Sequence, residues 1–102
     1  MFNVPSMLAF YRVQGDSMSP VLFDGDFVLT SNFLKVHENS LVVVKHSQFG
    51  VLVKRVKALG SKRVLLEGEN NDSLSSNQMG WVERDKILGV VLKMIKKGGV
   101  KL

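Results

Sequence analysis

Short apolar runs rich in β-branched residues recur along the whole chain, and turn-forming residues separate them. The runs cover residues 8–13, 27–30, 41–45, 50–57, 63–67 and 87–95. Because valine and isoleucine fit a pleated, half-buried backbone, runs of this length predict β-strands joined by turns. The sequence therefore predicts a mainly β fold of short antiparallel strands with little helix.

The length of 102 residues and a hydrophobic content of 45% predict one domain, residues 1–102, with a modest core. Within it, residues 1–7 are apolar but irregular and form either a lip beside a substrate or a frayed end. Residues 96–102 are predicted to be a basic tail. No cysteine is present, which excludes disulfides, thiolate metal sites and cysteine catalysis. Neither a metal site nor a cofactor is predicted.

The formal net charge is +5, and several of the lysines lie near the end of the chain. Such a cluster can meet nucleic acid, an anionic membrane or an acidic substrate, but a solvated tail is the commoner explanation. No recognition motif supports nucleic-acid binding, so none is expected. Without a secretory signal or an apolar run of about 18 residues, we expect a cytoplasmic protein. Peripheral membrane contact and dimerisation stay open.

The segment Gly15-Asp16-Ser17-Met18-Ser19-Pro20 follows the first predicted strand and contains small, turn-forming residues. We expect Ser17 on a tight turn, where its hydroxyl reaches solvent. Ser19 and Pro20 predict the start of a short helical turn through residue 23, with backbone amides directed at the serine. An exposed hydroxyl beside N–H donors suits an acyl-transfer nucleophile, although such serines are more often simple turn residues.

Lys54 is the candidate base for this serine. In a strand it shares a face with Leu52 and Val56, and apolar neighbours disfavour the charged ammonium. A neutral amine is able to take a proton from a serine hydroxyl, and Ser-Lys is a known variant of the serine triad. The alternative is a strand lysine whose head reaches water.

Five segments, taken in order, resemble the signal peptidase I and LexA-like superfamily of serine-lysine proteases. They are Gly15-Asp16-Ser17-Met18-Ser19-Pro20, Asp24-Gly25-Asp26 with Phe27-Val28-Leu29, Lys54-Arg55-Val56, Gly68-Glu69-Asn70, and Gly80-Trp81-Val82 with Ile87-Leu88-Gly89. The resemblance implies that Ser17 is the nucleophile and Lys54 the general base. It places Met18 beneath the substrate cleft and makes the Ser17 N–H an oxyanion donor, with Gly15 and Asp16 beside it.

The distal part of the motif set departs from the family pattern. Where the family has an aspartate and an arginine, this chain has Ser75 and Asn77, and Gly68-Glu69-Asn70 replaces Gly-Asp-Asn. By resemblance, this change leaves Arg55 without its ionic partner. The residues expected around the site are Arg55, Asn70, Ser75 and Ser76. For the lone tryptophan, Trp81, a core position is the default expectation, with the cleft wall as the alternative.

The resemblance implies a serine endopeptidase that cleaves a leader, propeptide or signal-type segment next to a small residue. Its partner would be a protein or peptide. Because no membrane anchor and no DNA-binding domain are expected, the architecture is most similar to small maturation proteases, such as those acting on nickel-type superoxide dismutase. The alternative is a non-catalytic or self-cleaving LexA-like dimerisation domain, which the altered distal segment favours.

Overall fold

A computed structural model describes residues 8–47, 50–69 and 80–97, and these residues form one antiparallel sheet. The strands are β1 (Leu8–Arg12), β2 (Phe27–Ser31), β3 (Leu41–His46), β4 (Gly50–Leu59), β5 (Arg63–Glu67), β6 (Trp81–Glu83) and β7 (Ile87–Ile95). A single 3-10 turn, Arg84–Lys86, is the only helical element in the described ranges. The prediction of a mainly β fold with little helix is confirmed.

The strand order in the sheet is β1-β2-β7-β3-β4-β5-β6. Neighbours β3, β4, β5 and β6 follow the chain as a meander. The last strand, β7, instead inserts between β2 and β3 and pairs antiparallel with both. The loop between β1 and β2 and the end of β7 therefore lie at the same end of the sheet, because β2 begins where β7 finishes: Phe27 pairs with Ile95.

Apolar side chains form two buried clusters, and β3 contributes to both. Cluster A contains Val13, Met18, Leu22, Val28, Val43 and Val53. Cluster B contains Val42, Val44, Val56, Val64, Leu66 and Val90. Successive residues of a strand point to opposite faces, so Val43 enters cluster A while Val42 and Val44 enter cluster B. This double burial explains why β3 is a continuous run of valines rather than an alternating one.

Two local expectations need correction. The helical turn expected from Ser19 through residue 23 lies earlier, as a single α-turn closed by Leu22 N–H on the Met18 carbonyl at 2.9 Å, and it does not extend into a helix. A segment this short gains few helical hydrogen bonds, and its amides find partners within the loop. Trp81 does not lie in the core. It is 49% exposed on the short edge strand β6, with its ring against Gly60.

In the portion of the chain that the structure describes, no helix has the length and apolar character needed to cross a bilayer.

Candidate active site

Ser17 lies in the loop of residues 13–26 that joins β1 to β2, here called the nucleophile loop. The Ser19 N–H donates to the Asp16 carbonyl at 3.0 Å, which places Ser17 and Met18 at the two central positions of a β-turn. Met18 is 1% exposed and packs in cluster A, whereas Ser17 remains partly exposed. The buried methionine therefore anchors the turn while its neighbour stays accessible.

The base of the nucleophile loop is closed by backbone and side-chain hydrogen bonds. The Val13 N–H donates to the Asp26 carbonyl at 2.7 Å, and the Gly25 N–H donates to the Val13 carbonyl at 2.9 Å. The Gly15 N–H donates to the Asp24 carboxylate at 2.8 Å. Gly15 has a φ of +79°, a conformation that residues with a Cβ rarely adopt. The two aspartates of the Asp-Gly-Asp turn, at the end of the loop, thus bind the residues at its start.

Lys54 is fully buried, with 0% of its surface accessible. It lies in β4 directly opposite Val42 of β3, and Val56 follows it on the same face. Both valines are completely buried. Burial disfavours the ammonium form and lowers the pKa of Lys54 below its ordinary value of 10.5. A lysine with these properties is a stronger base candidate than any exposed lysine, since more of it is neutral at a given pH.

Glu69 connects the nucleophile loop to the strand that contains Lys54. Its N–H donates to the Ser17 carbonyl at 2.8 Å, and its carboxylate forms an ion pair with Arg55, the residue after Lys54. Arg55 also donates to the Asn39 carbonyl at 2.9 Å. The expectation that Arg55 lacks an ionic partner is therefore wrong, because Glu69 supplies the carboxylate from the segment directly after β5.

The sequence also matches a known protein family. The sequence profile described as peptidase S24-like matches residues 1–92 of the chain. The chain belongs to the peptidase S24-like family. This family is part of the LexA and signal peptidase-like superfamily, so the resemblance seen in the sequence motifs is confirmed. No curated protein matches the sequence.

The peptidase S24-like assignment covers the segments that contain every predicted site residue. Of these residues, Gly15 and Asp16 are exposed in the nucleophile loop beside Ser17. The structure joins the backbone of Ser17 to β4 through Glu69, next to Lys54. The remaining predicted residues, Asn70, Ser75 and Ser76, lie outside the described residues.

Sequence reasoning missed the roles of Asp26 and Glu69. Asp26 stands in an Asp-Gly-Asp segment typical of a turn, but its carboxylate is buried and accepts three hydrogen bonds from two different parts of the chain. Glu69 stands where the family motif has an aspartate, and that match was the available signal for a carboxylate near Arg55. Within the described ranges, no group of three or more histidine, aspartate or glutamate side chains could hold a metal ion.

Proposed function

We propose that this chain is a serine endopeptidase in which neutral Lys54 takes the proton of the Ser17 hydroxyl. The observation that carries the proposal is the complete burial of Lys54 between β-branched side chains, which lowers the pKa of its amine. A protonated lysine cannot accept a proton, so burial that disfavours the ammonium form of Lys54 supports a role for it as the base.

The reaction proceeds through an acyl-enzyme. Ser17 Oγ forms a bond to the carbonyl carbon of the scissile peptide as its proton passes to Lys54 Nζ. The carbon–nitrogen bond then breaks, and the Lys54 ammonium returns the proton to the leaving amine. A water molecule, deprotonated by the same amine, attacks the ester and restores the Ser17 hydroxyl. The Ser17 N–H serves as an oxyanion donor, with Gly15 and Asp16 beside the reacting carbonyl.

The proposed substrate is an extended leader, propeptide or signal-type segment with alanine or glycine beside the scissile bond. The partial exposure of Ser17 supports access by an extended peptide. Met18 fills the space beneath the turn, where it packs in cluster A. In this proposal the function parallels that of the small maturation proteases.

The test is cleavage of a library of peptides derived from a proteome, read by mass spectrometry. We expect the wild-type protein to produce new termini after small residues, and we expect Ser17→Ala and Lys54→Ala to lower the rate by about 1,000-fold or more. Matched controls are Ser61→Ala, in an exposed turn, and Lys57→Ala, whose side chain is 54% exposed on the same strand as Lys54. Both controls should retain the wild-type rate.

Three other outcomes would contradict the proposal. Undiminished cleavage by either dyad variant would exclude the assigned residues. Cleavage of the chain itself, at a rate independent of its concentration, would identify a self-cleaving regulatory domain. A stable dimer that cuts neither itself nor the library would identify a non-catalytic member of the family.

A further inference from the structure

Asp26 is a buried carboxylate that the proposed chemistry does not use. Its side chain is 4% exposed. One oxygen, Oδ2, accepts the Phe23 N–H at 2.8 Å and lies 3.3 Å from Lys96 Nζ. The other oxygen, Oδ1, accepts the Lys97 N–H at 2.7 Å. Every one of these contacts is a charge-assisted hydrogen bond, which is stronger than a neutral one.

The donors around Asp26 come from two separate parts of the chain. Phe23 belongs to the nucleophile loop, whereas Lys96 and Lys97 follow the end of β7. Lys96 Nζ also donates to the Val21 carbonyl and lies 5.5 Å from the centre of the Phe23 ring. The two lysines therefore do not belong to a free basic tail, which corrects the expectation for residues 96–102 at these two positions.

Gly25 allows this close approach. Its φ is +93°, and a Cβ at that position would lie 2.6 Å from Cδ of Lys97. The Lys97 side chain thus runs directly over the backbone of the nucleophile loop. Burial alone raises the pKa of Asp26, but the Lys97 and Phe23 N–H groups and the Lys96 ammonium outweigh it, and the net pKa is lowered. The carboxylate is ionised at neutral pH, and the contacts that depend on its charge are present.

We propose that Asp26 is a positioning residue that holds the nucleophile loop against the segment after β7. This inference rests on the proposed function, because its consequence for catalysis is the placement of Ser17. The loop contacts at Val21 and Phe23 lie directly after the turn that contains the serine. Misplacing a nucleophile by about 1 Å can lower the rate about 100-fold. A rigid support for this loop therefore raises the catalytic rate as well as stabilising the fold.

The test compares Asp26→Asn and Lys96→Met with two matched controls. Asparagine keeps the size of the side chain but offers one acceptor oxygen in place of two, so one of the two N–H donors loses its partner. Lys93→Met removes an exposed lysine from β7, and Asp85→Asn removes an exposed aspartate from the 3-10 turn. The kinetics are measured at temperatures where circular dichroism shows every variant folded. For Asp26→Asn and Lys96→Met we expect kcat on a cleaved library peptide to fall about 10-fold or more, with KM nearly unchanged. Both controls should keep the wild-type kcat.

A second measurement does not depend on activity. In a Ser17→Ala background, amide hydrogen exchange should accelerate about 10-fold or more at Leu22 and Gly25 when Asp26→Asn is added, while β3 and β4 keep their protection. Unchanged exchange in the loop, or an unchanged kcat in both folded test variants, would overturn the inference. If the wild-type protein cleaves nothing, the proposed function fails, and the exchange experiment alone decides whether Asp26 holds the loop. If Asp26→Asn does not fold, Lys96→Met provides both readouts.

Discussion

Replacing Lys54 with methionine should change how the stability of the protein depends on pH. Methionine is unbranched, similar in length and apolar, so it fills the same buried space without an ionisable group. In the wild-type protein the pKa of Lys54 is lowered by burial, whereas in the unfolded chain it returns to about 10.5. Between these two pKa values the unfolded chain binds one proton more than the folded protein, and the free energy of unfolding rises with pH.

The slope of this effect follows from the linkage relation. One proton of difference corresponds to about 1.4 kcal/mol in the free energy of unfolding per pH unit. Below the folded-state pKa both states are protonated, and the wild-type protein pays the full cost of a buried charge. Above 10.5 both states are neutral and the cost disappears. The advantage of Lys54→Met over the wild type should therefore be greatest at low pH and should shrink by about 1.4 kcal/mol per unit across the window.

Urea denaturation at several pH values from 6 to about 10 measures this difference. Loss of hydrogen bonding in the methionine variant adds an offset, but the offset does not vary with pH. Other titrating groups cancel, because they are common to both proteins. Lys57→Met is the control for the substitution itself, on the same strand at a side chain that is 54% exposed. A flat difference between Lys54→Met and the wild type would refute the reasoning, because it would mean that folding leaves the pKa of Lys54 at its ordinary value.

Two further predictions concern the contacts around the site. Glu69→Gln should lower the free energy of unfolding by about 1 kcal/mol, because it removes the partly buried partner of an ion pair. The control is Glu67→Gln: Glu67 lies 3.8 Å from an exposed lysine, and its loss should lower the free energy of unfolding by less than about half as much. Equal losses in urea denaturation would contradict this prediction. Gly25→Ala should lower the melting temperature more than Gly50→Ala. Both glycines have positive φ, but only at Gly25 does the added Cβ meet another atom, and equal shifts in a thermal melt would argue against the contact with Lys97.

The strands were predictable because their signal is local. The β-branched runs at residues 41–45 and 87–95 fall within β3 and β7 of the structure. The insertion of β7 between β2 and β3 was not predictable in the same way, because pairing depends on which strands meet in three dimensions. The short strand β6 was missed, since three residues at a sheet edge contain too little periodicity.

In the site, too, features set by neighbouring residues were predictable, whereas contacts between residues far apart in the sequence were not. The turn at Ser17 and the apolar setting of Lys54 were predicted from neighbouring residues, and both are present in the structure. The partners of Asp26 and Arg55 were not predicted. Lys97 is far from Asp26 along the chain, and only the pairing of β7 with β2 brings them together. Arg55 was expected to lack an ionic partner because Ser75 stands where the family has an aspartate. The carboxylate that pairs with Arg55 instead belongs to Glu69.

The pH dependence of kcat/KM on a cleaved library peptide tests the central claim most directly. A general base acts in its unprotonated form, so the rate should rise with pH and level off at an apparent pKa below 10.5, equal to the value that the stability difference between the wild type and Lys54→Met reports. The Lys54→Met variant should show no such rise. A profile that levels off only at the pKa of an ordinary lysine, or cleavage that persists in the methionine variant, would contradict the account.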